Sequence, residues 1–117
     1  MGRLSTHVLD LVSGIPAPNV EIHFFRLAAD GSRHAISTHR TNADGRTDAP
    51  LLSGETFAPG TYELIFHVGD YFRAKGAALP EPAFLDVVPL RFSMAADGHY
   101  HVPLLCSPWA YSTYRGS

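Results

Sequence analysis

Short apolar segments alternate with turns rich in Gly, Pro and Asp along the whole chain. The segments recur about every ten residues, which is typical of an all-β sandwich or barrel. Between two of them, the turn Asn42–Gly45 offers a glycine where a left-handed backbone carries no steric cost. The pattern predicts strands over Leu4–Val12, Val20–Leu27, His34–Thr41, Thr61–Val68, Phe84–Phe92, His99–Leu105 and Tyr111–Ser117.

One segment departs from the strand pattern. Residues Gly69–Gly76 contain good helix formers, with Asp70 as the expected N-cap and Gly76 as the stop. The following Pro80-Glu81-Pro82 predicts an extended linker. We therefore expect one short helix in a chain of strands.

The length of 117 residues fits a single domain spanning residues 1–117. The net charge of −2 excludes a module that binds nucleic acid by neutralising phosphates, and it disfavours a polybasic membrane patch. No apolar run approaches the roughly 20 residues that cross a bilayer, and the first residues lack the apolar stretch of a signal peptide. A single cysteine, Cys106, cannot form an internal disulfide. The sequence therefore predicts a cytoplasmic protein.

Alternation along two predicted strands places histidines on the face away from the core, because side chains i and i+2 of a strand share a face. In the strand near the C-terminus the core set is Tyr100, Val102 and Leu104, and the outer set is His99, His101, Pro103 and Leu105. In the first strand the core set is Thr6, Val8 and Asp10, and the outer set is Ser5, His7, Leu9 and Leu11. Because leucines lie beside the outer histidines, we expect another copy of the chain to cover this face.

These histidines admit two interpretations. A His-x-His pair on a strand is often solvated or hydrogen-bonded and has no chemical role. With His7 from a neighbouring strand, His99 and His101 could instead form a three-histidine zinc site with an open position. Arg46 follows a turn, where an arginine is usually solvated. Cys106 lies in an apolar run, which favours a structural role over a nucleophilic one.

Three blocks of the sequence carry a resemblance to a known family. They are Leu4–Asp10 leading into Gly14–Ala17, then Thr41–Arg46, and finally His99–Leu105 continuing through Ser107-Pro108 to Tyr111–Ser117. Together they resemble the 5-hydroxyisourate hydrolases, the transthyretin-like enzymes of urate degradation, and the resemblance extends over the whole chain. The C-terminal Tyr-Arg-Gly-Ser is the most specific element, since the hormone carrier transthyretin shares the fold but lacks this ending.

The resemblance implies a transthyretin-like (prealbumin) fold, a β-sandwich of two four-stranded sheets with one short helix. It also implies a homotetramer, a dimer of dimers whose stacking covers the outer face of the first and last strands. The implied catalytic set is His7, Arg46, His101 and the terminal Ser117, with Tyr114 as an aromatic wall of the substrate pocket. The resemblance implies neither a metal nor an organic cofactor, and nucleic acid and membrane are not expected partners.

The implied reaction is the hydrolysis of 5-hydroxyisourate to 2-oxo-4-hydroxy-4-carboxy-5-ureidoimidazoline, which opens the six-membered ring at its N1–C6 bond. An imidazole suits the base that deprotonates the water, and Arg46 suits the stabilisation of the oxyanion. The sequence leaves open whether His7 or His101 is the base, and whether Ser117 acts through its hydroxyl or its carboxylate. Two rival functions remain, a transthyretin-type carrier of a small aromatic ligand and a metal-dependent hydrolase that uses His7, His99 and His101.

Overall fold

The computed structural model describes residues 2–117. Their regular structure is mostly strand, as the sequence pattern predicts. The elements are β1 (Arg3–Ser5), β2 (Val8–Asp10), β3 (Ile15–Pro16), β4 (Glu21–Leu27), β5 (Arg33–Arg40), β6 (Leu52–Ser53), a 3-10 turn (Gly54–Thr56), β7 (Gly60–Phe66), α1 (Val68–Ala74), β8 (Val88–Met94), β9 (His99–His101), β10 (Leu104–Cys106) and β11 (Tyr111–Ser112). Neither helix in this part of the chain is long and apolar enough to cross a membrane.

One layer of the fold is a four-stranded antiparallel sheet with the strand order β5-β4-β7-β8. Its register pairs Ile22 with Phe66 and Phe24 with Leu64 across β4 and β7. These four side chains are fully buried. Their neighbours along β4 point to the opposite face, as the period of two requires. The sheet therefore has an apolar inner face and a largely polar outer face.

The other layer is built from the first and last segments of the chain. β1 pairs in parallel with β9, and β2 pairs in parallel with β10. The predicted sandwich with one short helix is confirmed, but this layer is two sheets, β6-β1-β9 and β11-β10-β2-β3, in place of one four-stranded sheet. The division falls at Thr6-His7 and at Val102-Pro103, where the Thr6 hydroxyl donates to the Val102 carbonyl at 2.8 Å.

A single apolar core fills the space between the layers. Leu4, Val8 and Leu104 of the divided layer are fully buried and belong to one cluster with the inner face of the four-stranded sheet. Cys106 belongs to the same core, and burial raises the pKa of its thiol to about 12. A thiol that stays protonated near neutral pH is a poor nucleophile, so the structure agrees with the predicted structural role.

Asp10 lies buried on the core side of β2, as the alternation predicts. Its carboxylate accepts hydrogen bonds from the Tyr71 hydroxyl at 2.8 Å, from the Lys75 ammonium at 3.1 Å, and from the backbone N–H groups of Val12 and Ser13. Burial raises the pKa of this carboxyl, but the hydrogen bonds outweigh it and hold the pKa below its ordinary value. These hydrogen bonds connect the α1 region to β2.

The helix begins and ends slightly earlier than the sequence predicts. Its N-cap is His67, where Asp70 was expected. The backbone N–H of His67 donates to the Glu21 carbonyl at 3.0 Å, and this bond sets the start of the helix beside β4. Asp70 lies in the first turn, where a carboxylate complements the helix dipole. Gly76 follows the helix with a φ of +86°, which confirms the predicted stop.

The strand predicted over Phe84–Phe92 begins later, at Val88, and ends at Met94. β8 pairs with β7 along its whole length, with Val88 opposite Phe66. β7 ends at Phe66, so it cannot pair with residues 84–87. Local sequence pattern could not show this limit, because it is set by the length of the neighbouring strand.

The C-terminal strand is also shorter than predicted, since its pairing ends at Ser112. The residues that follow are anchored in another way. The Thr113 hydroxyl donates to the Pro103 carbonyl at 2.6 Å, and His101 and Gly116 exchange backbone hydrogen bonds of 3.0 and 2.7 Å. Pro103, which the alternation assigns to the outer face, is buried where this tail crosses the layer.

Candidate active site

The turn after β5 brings Arg46 beside His7. The two residues form an antiparallel backbone bridge, and the Val8 N–H donates to the Gly45 carbonyl at 2.8 Å. Gly45 has a φ of +75°, and a Cβ at this position would lie 2.5 Å from the Val8 carbonyl oxygen. Both the conformation and the close approach therefore require glycine. The tight turn fixes the point from which the Arg46 side chain extends.

Asn42 stabilises this turn and, through it, the orientation of His7. The Asn42 side-chain oxygen accepts hydrogen bonds from the N–H groups of Asp44 at 2.9 Å and Arg46 at 3.2 Å. The Asp44 carbonyl oxygen lies 2.7 Å from Nε2 of His7. Because a carbonyl oxygen can only accept, Nε2 of His7 carries the proton. In the neutral ring, Nδ1 is then the nitrogen that can accept a proton.

Two segments, β1 and the C-terminal tail, hold His101 at the end of β9. Ser5 of β1 is its direct partner in the parallel ladder, and the Ser5 hydroxyl oxygen lies 2.9 Å from Nδ1 of His101. On the other side, the backbone bridge to Gly116 brings the C-terminal tail against the imidazole. A Cβ on Gly116 would lie 3.1 Å from Cβ of His101 and 3.4 Å from its Cδ2. Glycine therefore permits this close passage.

The imidazoles of His7 and His101 lie side by side, although His7 lies between β1 and β2 and His101 is the last residue of β9. Their ring centroids are 6.3 Å apart, with an angle of 49° between the planes. Burial lowers the pKa of His101, and Arg46, His7 and Arg3 lower it further. His101 is therefore neutral at a pH where an ordinary histidine begins to take up a proton.

Ser117 and Tyr114 lie close to His101 in the C-terminal tail. Ser117 is exposed and follows directly on Gly116, whose backbone is bonded to His101. Cε1 of Tyr114 and Cδ2 of His101 are both 3.4 Å from the point where a Gly116 Cβ would stand, so the two rings flank one glycine. Tyr114 is 56% exposed. Within one chain more than half of this side chain is therefore open to solvent.

A cavity of about 160 Å³ adjoins this group of residues, and of the predicted set it is lined by Arg46. Arg3 and Ser5 line it together with Arg46. Both were within reach of the sequence argument, because Arg3, Ser5 and His7 alternate along the chain and share the outer face. Alternation places Ser5 on the outer face, but it cannot show the contact with His101, because that contact depends on the pairing of β1 with β9.

The structure does not bring His99 to the other two histidines. His99 is exposed. Within residues 2–117 the one group of three His, Cys, Asp or Glu residues with ligand atoms within 4.8 Å of one another is Glu21, His23 and His67. That group lies on the other layer, so the geometry does not support a zinc site made of His7, His99 and His101.

Comparison with known proteins finds a family whose sequence pattern this chain matches. A model of the HIUase/Transthyretin family matches residues 4–116. The sequence is 62% identical over 117 residues to "5-hydroxyisourate hydrolase 2" of Rhizobium meliloti (strain 1021), covering 99% of this chain and 97% of the relative. It is 60% identical over 118 residues to the 5-hydroxyisourate hydrolase of Ralstonia nicotianae, and the alignment covers both proteins completely.

Solved structures with the same fold carry different names. The 5-hydroxyisourate hydrolase of Klebsiella pneumoniae gives a TM-score of 0.80 at 32% identity, with both chains fully covered. Sea bream transthyretin in complex with thyroxine gives 0.85 at 30% identity, with 97% of this chain and 94% of that chain covered. A structure of (S)-allantoin synthase gives 0.93 at 46% identity; 99% of this chain is covered, but it spans only 44% of that longer chain.

Proposed function

The chain belongs to the HIUase/transthyretin family, and on this premise we propose that it hydrolyses 5-hydroxyisourate at a site formed by His7, Arg46 and His101. It is an enzyme of the hydrolase class, like the relatives that are 60% and 62% identical to it. The observation that supports this site most directly is the meeting of two imidazoles, with centroids 6.3 Å apart, beside a pair of arginines. The product is 2-oxo-4-hydroxy-4-carboxy-5-ureidoimidazoline.

In this proposal His7 is the base that activates water. Its Nε2 proton is held by the Asp44 carbonyl at 2.7 Å, so Nδ1 is the atom that takes a proton from the attacking water. The charge that then forms on the ring is stabilised by the same carbonyl, because hydrogen bonds from a charged donor are stronger than neutral ones. His101 remains neutral through its lowered pKa, and it orients the water or a ring N–H of the substrate.

Arg46 and Arg3 stabilise the negative charge of the reaction. The water oxygen adds to the C6 carbonyl carbon of the substrate, and charge develops on the C6 oxygen. Both guanidinium groups carry a positive charge, and both line the cavity of about 160 Å³. The tetrahedral intermediate then collapses, the N1–C6 bond breaks, and the proton held by His7 passes to N1.

Ser117 and Tyr114 complete the substrate contacts in this proposal. Ser117 offers a hydroxyl beside the Gly116–His101 bridge, and this group can accept a hydrogen bond from an N–H group of a purine-like ring. Tyr114 packs its ring against the planar substrate from the tail side. No step of the proposed hydrolysis uses a metal or an organic cofactor.

We further propose that the working form is a homotetramer built as a dimer of dimers. A cavity of about 160 Å³ is roughly half the smallest volume typical of a ligand pocket, so one chain alone does not enclose the substrate. Large apolar and aromatic side chains are exposed on the divided layer and its tail, among them Leu11, Ile15, Trp109 and Tyr111. A second copy on this face covers them and closes the pocket.

A cytoplasmic location is also a prediction, and cell fractionation tests it.

The test follows the ultraviolet absorbance of freshly prepared 5-hydroxyisourate, which also decays without enzyme. We expect the parent chain to accelerate the decay in proportion to its concentration, and His7→Asn to lower kcat by about 10²–10³. The matched control is His34→Asn, which removes an exposed histidine from β5 and should match the parent. If the parent gives no acceleration and only binds the compound, the carrier function replaces the hydrolase.

Dilution of the parent tests the assembly. Sedimentation and activity measured over the same concentration series should fall together as the tetramer dissociates. A fully active single chain at high dilution would show that the site needs no partner.

A further inference from the structure

A second group of titratable side chains lies on the outer face of the four-stranded sheet. Glu21 and His23 are two residues apart on β4, so both point away from the core while Ile22 between them is fully buried. His67 directly follows β7, whose register places Phe66 opposite Ile22. The backbone N–H of His67 donates to the Glu21 carbonyl at 3.0 Å. Strand pairing therefore fixes the backbones of all three residues relative to one another.

The side chains of these residues converge on a single oxygen atom. Oε2 of Glu21 lies 2.5 Å from Nε2 of His23 and 3.8 Å from Nε2 of His67. The two imidazole centroids are 5.0 Å apart. One ligand atom from each residue lies within 4.8 Å of the other two. Two nitrogens and one carboxylate oxygen thus point at a common small volume.

The other carboxylate oxygen of Glu21, Oε1, is held by an arginine. Arg40 of β5, the cross-strand partner of Glu21, donates to Oε1 at 2.9 Å. This bond leaves Oε2 facing the two imidazoles. Arg40 is 57% exposed at its side chain, so water and salt screen its charge. Its role here is that of an outer contact that orients a ligand.

We propose that Glu21, His23 and His67 form a binding site for a divalent ion of the zinc class. Two imidazoles with one carboxylate, and a fourth position open to solvent, match a donor set that holds Zn²⁺ in proteins. Bond lengths of about 2.0–2.1 Å in a tetrahedron require ligand atoms roughly 3.3 Å apart. The present separations of 2.5 and 3.8 Å bracket that value, and rotation of side chains that are 26–35% exposed suffices to adjust them.

This site is separate from the proposed hydrolytic site. Its three residues belong to β4 and the end of β7, whereas His7 and His101 belong to the divided layer. The inference does not depend on the proposed function, and no step of the hydrolysis uses the ion. Its consequence is a coupling of metal availability to the stability of the four-stranded sheet, since an ion that binds only the folded chain stabilises it.

The experiment titrates the full chain with Zn²⁺ in competition with a chromophoric chelator. The background carries His101→Asn, so that the two imidazoles of the hydrolytic site cannot contribute a pair of ligands. We expect one Zn²⁺ per chain in this background. Adding His67→Asn, or separately His23→Asn, should weaken binding by at least about 100-fold, because the loss of an outer contact alone costs 10–100-fold. Co²⁺ should give the visible absorption of a four- or five-coordinate site, which the same substitutions abolish.

His34→Asn is the matched control, since it removes an exposed histidine from β5 of the same sheet and should leave binding unchanged. Circular dichroism of each variant verifies the fold. Binding that survives both His23→Asn and His67→Asn would overturn the proposal. Absence of Zn²⁺ uptake in the His101→Asn background, with uptake in the parent, would place the ion at the hydrolytic site and would equally overturn it.

Discussion

The chain holds two pairs of neighbouring histidines that differ in the charge beside them. His7 and His101 lie near arginines, with centroids 6.3 Å apart. His23 and His67 lie 5.0 Å apart and face the carboxylate of Glu21. Burial and the neighbouring arginines lower the pKa of His101. On the outer face the hydrogen bond from His23 lowers the pKa of Glu21, and this carboxylate with its two imidazoles is suited to hold a cation.

The two pairs also differ in how they are assembled. The pair on the outer face needs only the register of two adjacent strands, β4 and β7. The pair at the proposed hydrolytic site needs the parallel pairing of the first and last segments, a tight turn beside His7 and a C-terminal tail beside His101. A site that depends on more independent contacts is more sensitive to small displacements.

The largest expected effect is on the hydrolysis rate, and it should appear when an imidazole is removed from the pair at the proposed hydrolytic site but not from the other pair. We expect His101→Asn to lower kcat/KM for 5-hydroxyisourate by about 10²–10³, because it removes a polar contact to the reacting water or ring. His23→Asn should leave the rate unchanged. The ultraviolet assay of the fresh compound measures both. Equal losses in the two variants would remove the functional distinction between the pairs.

A smaller effect is expected from Gly116→Ala. The new Cβ would lie 3.1 Å from Cβ of His101, so the tail or the imidazole must shift by a few tenths of an ångström. We expect the hydrolysis rate to fall by tens of fold, up to about 100-fold. Circular dichroism and Zn²⁺ titration of the outer face should be unchanged. A variant with full activity would show that the tail does not position His101.

The smallest expected effect is electrostatic. In Arg46→Gln the pKa of His101 should rise towards its ordinary value, because one of the positive charges that lower it is gone. The pKa should stay below that value, since burial is the larger cause. A pH titration of the imidazole Cε1–H signal by NMR measures the shift. The titration of the His23 and His67 signals should be the same as in the parent. An unchanged pKa of His101 would show that Arg46 does not act on it.

Much of this arrangement was accessible from the sequence because strand periodicity is local. Alternation assigned Val8 and Asp10 to the core side and His7 to the outer face, and the structure agrees. The turn before Arg46 was visible through its glycine, whose φ of +75° is confirmed. The motif resemblance gave the fold and the enzyme class, which the family match and the named relatives confirm.

What the sequence could not show depends on which strand lies beside which. The contact of Ser5 with His101 exists because β1 pairs with β9. The late start of β8 follows from the end of β7. The cluster at Glu21 is complete only because β7 delivers His67 to it. The roles of Ser117 and Tyr114 stay predictions, and so does the tetramer.

The parallel pairing of the first and last segments also determines when this protein can fold on the ribosome. Ser5 meets its partner His101 across a sequence separation of 96 residues, so nearly the whole chain must be synthesised before β1 finds a neighbour in β9. The antiparallel sheet β5-β4-β7-β8 is complete in sequence by Met94 and can form while the tail is still in the exit tunnel. Until the last segment emerges, β10 cannot contribute Leu104 and Cys106 to the core that covers its apolar inner face.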